Sequence, residues 1–216
     1  MPLPPPPSTS YSIQQHVEDL DTVLSQIEPF TNQNKPFHLY GHSFGGVLAF
    51  EYALRRYSQH QPRPLRSLVL SNSPTNMRLA DEEYGRLEAK NPLAFWHDHA
   101  CRVGIPPALG DAFRHTGKVW IGMDVVIDYA AERKPPTTAA AAEEGFPPTL
   151  VVSGSCDFGY EVSNEDAWRA VLPDGKLREA FNFDSGRHYP FYEDPVAYGR
   201  VVEGFLSEIE GAKEKQ

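Results

Sequence analysis

Gly41-His42-Ser43-Phe44-Gly45 is the one G-x-S-x-G sequence in the chain, and it constrains the fold more than any other stretch. A short apolar segment bounded by Pro36 precedes it. Val47-Leu-Ala-Phe-Glu-Tyr-Ala-Leu-Arg-Arg56 follows and reads as a helix. Strand, sharp turn carrying a serine, then helix is the context a nucleophile elbow requires. Such a turn strains the serine backbone, and the flanking glycines are expected to avoid clashes between strand and helix. The hydroxyl of Ser43 then stands above the end of a sheet, over a helix N-terminus that favours developing negative charge. The backbone amide of Phe44 is one natural oxyanion donor there.

The remaining chain supplies layers for that elbow. Residues 1–10 are proline-rich and read as extended. Ile13, Val17, Leu20, Leu24 and Ile27 then form one apolar stripe of a helix, with Ser12 and Gln15 as a capping box. Leu65-Arg-Ser-Leu-Val-Leu-Ser-Asn72 is a second strand, and Thr149-Leu-Val-Val-Ser-Gly154 a third. A helix over 164–172 with Trp168 and Val171 inward, a last strand over 176–183, and a helix capped by Asp194 with Pro195 at its first position complete the pattern. Between the second and third strands the character changes. Helix-like pieces are expected over 81–90, 92–103, 107–115 and 119–131, and the stretch holds Trp96 and Trp120 before the alanine run 139–142.

Strands alternating with helices predict an α/β fold, with a mostly parallel sheet of about four strands flanked by helices. The expected organisation is a mobile start at 1–10, a core built from 11–74 and 146–211, an inserted helical lid over 75–145, and a tail at 212–216. The chain of 216 residues is long enough for one good core. A net charge of −9 disfavours nucleic acid or an anionic membrane as partner. No apolar run approaches the ~20 residues that span a bilayer. The first residues show neither a basic region nor an apolar core, so no signal peptide is read, and a cytoplasmic location is expected. Cys101 and Cys156 form no framework and are expected to be free thiols, Cys156 as a small buried side chain.

Ligands of such sheets bind beyond the carboxyl ends of the strands. Ser43, Asp157 and His188 each follow directly on a predicted strand, so all three are expected at one rim. A serine hydroxyl needs a base within hydrogen-bond reach, and that base needs a partner that fixes its tautomer. Ser43 is therefore assigned as nucleophile, His188 as general base and then acid, and Asp157 as its orienter. His42 adjoins the serine but is expected to point away from it, as supporting structure. His97, His99 and Cys101 do not share one helix face and lack a fourth ligand, so no metal site is read from them.

Gly41-His-Ser-Phe-Gly-Gly46, Gly154-Ser-Cys-Asp157 and Gly186-Arg-His-Tyr-Pro-Phe-Tyr-Glu-Asp-Pro195 resemble the α/β-hydrolase superfamily. Within it the chain is most similar to the proline iminopeptidases, serine peptidases also called prolyl aminopeptidases. Tyr11-Ser-Ile-Gln-Gln-His-Val-Glu-Asp-Leu20 and Phe95-Trp-His-Asp-His-Ala-Cys-Arg102 carry the resemblance outside the three motifs. The resemblance implies release of an N-terminal residue from small peptides or amides through an acyl-enzyme, with no cofactor and no metal. It implies a lid carboxylate holding the substrate's free amine. Glu82, Glu83, Glu88, Asp124 and Glu132 are lid acids, none matched to that position. The family also has strands ahead of the first helix and a glycine-rich loop supplying a second oxyanion amide. The first glycine here is Gly41, so the chain reads as an N-terminally truncated hydrolase, the C-terminal part of a partial α/β-hydrolase fold. The alternatives are a weakly active or non-catalytic remnant, or an esterase or amidase of the same fold.

Overall fold

The computed structural model describes residues 12–27, 35–59, 65–115, 126–133 and 145–212. The proline-rich start, Trp120, Asp124, the alanine run and most of the tail lie outside them. Four strands form one parallel sheet: β1 Phe37–His42, β2 Leu65–Ser71, β3 Thr149–Gly154 and β4 Leu177–Phe183. Their spatial order is their chain order. Successive right-handed crossovers stepping the same way leave their helices on one face. Accordingly α2 (Phe44–Gln59), which follows β1, shares a core with the later helix Glu165–Val171. Phe50, Leu54, Leu68, Leu70, Val151, Trp168 and Leu172 are all fully buried there. The last helix, Pro195–Gly211, returns across the opposite face and packs Tyr198 and Phe205 on Val69, Leu150 and Val152. Covered on both sides, β3 is buried at every residue.

α1, Ile13–Gln26, lies against α2, with Val17 and Leu24 buried beside Phe37 and Tyr52. Half of the expected capping box forms. Ser12 Oγ accepts from the Gln15 amide at 3.1 Å, but the Gln15 side chain donates forward to Asp19. Ile27, read as the end of the apolar stripe, is the exposed C-cap.

The excursion between β2 and β3 departs most from expectation. α3 runs Met77–Lys90, four residues longer at its start than the pattern from Asp81. Asn76 caps it, accepting from the Leu79 amide at 3.0 Å. The helix expected over 92–103 is instead a turn and one π-helical turn, Trp96–Ala100. α4 is Pro107–Phe113. Residues 126–133, expected to end a helix, dock back instead. The Met77 amide donates to Tyr129, the Ala131 amide donates to Thr75, and Val126 is buried against Met77 and Val47. Two short helices were not expected: α5, Tyr160–Ser163, and, after α6 (Glu165–Val171) and β4, α7, Pro190–Glu193. The final helix is α8. Its cap is as read, Asp194 accepting from Ala197 at 2.9 Å. Among the described residues no helix is long and apolar enough to cross a membrane.

Candidate active site

Ser43 sits alone between β1 and α2 with φ 53, in the left-handed region. For a residue with a Cβ that conformation costs roughly 1–2 kcal/mol. The turn is held from both sides, the Ser43 amide donating to Ser71 O and the Gly46 amide to Ser43 O, each at 2.9 Å. The glycines are needed, though not as first read. A Cβ on Gly41 would stand 2.4 Å from Gly45 O, and one on Gly46 1.7 Å from Ser73 Oγ, whereas Gly45 faces open space. The close approach to Ser73, just past β2, therefore falls on Gly46, the residue after the motif. Phe44 opens α2, so its amide lies at the helix N-terminus.

Asp157 and His188 follow β3 and β4 and are both buried. Their loops are drawn together where Gly154 meets Gly186: a Cβ on Gly154 would stand 2.5 Å from the Gly186 carbonyl. The Cys156 amide donates to that carbonyl at 2.8 Å. His188 Nδ1 lies 3.0 and 3.1 Å from the two Asp157 oxygens. Oδ1 of Asp157 also accepts from the Gly159 amide at 3.0 Å, and Oδ2 from Asn72 Nδ2 at 2.7 Å. A carboxylate can only accept, so Nδ1 carries a proton, and in the neutral imidazole Nε2 keeps the lone pair. The Phe158 ring covers the imidazole at 4.4 Å.

Ser43 and His188 line one cavity of about 800 Å³, together with Phe44, Asn72 and Gly159. Among the described residues no hydrogen bond joins the two. Pro74, Met77, Ala80, Phe113 and Phe158 make its walls apolar, and Asp81, Tyr84 and His115 are polar exceptions. A hydroxyl and an oriented imidazole on one apolar cavity are the parts of acyl transfer. The excursion is tied to the histidine loop. The His188 and Tyr189 amides donate to His99 O and Ala100 O at 3.1 Å. Arg187 Nε donates to His97 O, and the Arg102 amide to the buried carboxylate of Glu193 at 2.8 Å.

Four sequence-assigned positions, Ser43, Phe44, Asp157 and His188, thus share one rim. The acids of the excursion divide. Glu82 and Glu83 line a neighbouring cavity of about 330 Å³, Glu132 lines another beside Ile13, and Glu88 accepts from Tyr84 at the surface. The carboxylate in the main cavity is Asp81, which the reading passed over. It lies one turn of α3 after Met77. His97 and His99 bond to Asp98 and to Cys156 O, at 2.9 and 3.0 Å. Both cysteines are free, Cys101 buried and Cys156, expected to be buried, only half so. Asn72 and Phe158 were also missed; Phe158 directly adjoins Asp157, whereas Asn72 is distant from every marked position along the chain.

His42 packs beneath the site, its ring 4.9 Å from that of His188 and 4.9 Å from Phe191. Burial, and then the charge of His188, hold its pKa well below the usual histidine value. Below about pH 6.5 an unfolded chain protonates this imidazole while the folded one does not. Stability from this group is therefore full above that pH and falls as pH drops, by up to about 1.4 kcal/mol per unit for one proton. We expect His42→Phe to flatten the difference in denaturant midpoint between pH 7.5 and 5.5. An unchanged difference would show that His42 titrates normally.

A thioesterase-domain family model matches residues 11–140. A proline iminopeptidase of Flavobacterium johnsoniae is 31% identical over 237 residues, covering 97% of this chain and 77% of that protein. The medium-chain S-acyl fatty acid synthase thioesterase of Homo sapiens is 36% identical over 59 residues, 27% of this chain and 22% of that one. Among solved structures, a proline iminopeptidase of Mycobacterium smegmatis shares the fold with a TM-score of 0.68. It is 23% identical, and the match covers 98% of this chain and 76% of that one.

Proposed function

The chain belongs to the α/β-hydrolase superfamily, the group that holds both the thioesterase domain and the proline iminopeptidases it matches, and on that premise we propose that it is a serine hydrolase. The observation that carries the proposal is the buried Asp157–His188 pair on the wall of the cavity that Ser43 also lines. Ser43 Oγ attacks the substrate's carbonyl carbon as its proton passes to His188 Nε2. Asp157 steadies the imidazolium through Nδ1–H. The Phe44 amide, at the start of α2, stabilises the tetrahedral oxyanion. His188 then returns the proton to the leaving group as that bond breaks, leaving an ester on Ser43. Water, deprotonated by His188, releases the acid and restores the hydroxyl.

Of the expected lid over 75–145, the described residues 75–115 cover this cavity and act as its lid. The finer reading is an aminopeptidase of the proline iminopeptidase type, cleaving an N-terminal residue from small peptides or amides. The Flavobacterium johnsoniae relative supports it. So does Asp81, the one carboxylate lining the cavity among the described residues, set in apolar walls that suit a prolyl ring with its charged amine. A second reading, an ester or thioester with an apolar acyl chain, is favoured by those same walls and by the thioesterase-domain match.

A fluorophosphonate probe should label Ser43, and a panel of aminoacyl-naphthylamides, p-nitrophenyl esters and acyl thioesters then separates the readings. We expect turnover of prolyl-naphthylamide, with Asp81→Asn raising its KM about tenfold or more through loss of a charged hydrogen bond. Turnover of esters or thioesters alone would end the aminopeptidase reading and keep the hydrolase. A folded protein that takes no label would leave a non-catalytic hydrolase fold.

A further inference from the structure

Asn72 directly follows β2 in a conformation few side chains adopt, φ 47, and is 1% exposed. Its amide can face only one way. Nδ2 donates to Asp157 Oδ2 at 2.7 Å and to Arg187 O at 3.2 Å. Turned over, its oxygen would meet two acceptors. In the orientation observed, Oδ1 is buried with no partner among the described residues. A left-handed backbone and an unpaired buried acceptor each cost roughly 1–3 kcal/mol. Packing alone offsets neither. Both donations instead end on the Asp–His pair, one on the carboxylate and one on the backbone directly before His188.

We infer that Asn72 is a positioning residue, fixing the rotation of the Asp157 carboxylate and the placement of the His188 loop. This rests on the serine hydrolase reading. It carries a signed consequence. Nδ2 draws charge from Asp157 Oδ2, an oxygen that His188 Nδ1 also faces at 3.1 Å. Without it, the carboxylate presents more charge to Nδ1–H and the imidazolium is stabilised.

Two variants test this in the full chain. Asn72→Gly accepts φ 47 and removes only the side chain. Asn72→Asp keeps the shape and replaces the donor with a charge. We expect kcat to fall about ten- to a hundredfold in Asn72→Gly with KM little changed, as when an outer hydrogen bond behind a working imidazole is lost. The acid limb of kcat/KM should move to higher pH, and further in Asn72→Asp. The downfield proton resonance of His188 Nδ1–H, which needs no turnover, should shift in both. Wild-type protein that refuses the fluorophosphonate would sink the hydrolase reading, while the resonance still tests Asn72. Variants that fold, label at the wild-type rate, and keep both pH midpoint and resonance would overturn the inference and leave the hydrolase standing.

Discussion

Ser43→Ala is expected to lower hydrolysis by about 10⁵–10⁶-fold, the scale of losing a serine nucleophile that works as a unit with its base. The Ser43 hydroxyl makes no hydrogen bond among the described residues, so the change leaves no partner unsatisfied. Alanine meets the same penalty at φ 53 as serine does. The melting temperature should therefore stay within a degree or two of wild type while the fluorophosphonate label disappears. This pairing of intact fold and lost chemistry is what an elbow nucleophile predicts. Turnover persisting above a tenth of wild type would remove Ser43 from the mechanism.

Asp157→Asn should cost about 10⁴ in kcat, the effect of losing control of the imidazole tautomer. The surroundings make the case sharper than an isolated Asp–His contact would. Both oxygens accept already, one from Gly159 N and His188 Nδ1, the other from Asn72 Nδ2 and the same Nδ1. An amide NH₂ in either position meets a donor. Facing His188 it drives the proton to Nε2, where it cannot accept from the serine. Facing Asn72 or Gly159 it opposes a buried N–H, so about 1–3 kcal/mol of stability should also go. Stopped-flow turnover with a denaturant titration measures both. A variant within tenfold of wild type would show that the carboxylate does not set the base.

The elbow was legible because strand, glycine, serine and helix are all local. The glycine that matters most was not, because the atom Gly46 avoids belongs to Ser73, in the segment that follows β2. Asp157 and His188 were found by their order after strands, which a sequence displays. Asn72 was hidden because its meaning lies in a carboxylate that is distant along the chain. The stretch 92–103 was read as a helix from its composition. In the fold its end carbonyls are committed to His188 and Tyr189, and the backbone opens into a π turn there. α3 begins ahead of the expected 81–90 because Asn76 caps it, accepting from the Leu79 amide.

The stitching of His99 and Ala100 to the loop of His188 has an evolutionary corollary. On the proposed hydrolase reading, the span between α3 and α4 braces the loop that aims His188. Many of the side chains that face the cavity come from the flanking helices, α3 and α4, so substrate preference is expected to vary there. Substitutions in the short span between them are expected to act on reaction rate instead, even though none of its side chains is assigned a chemical step.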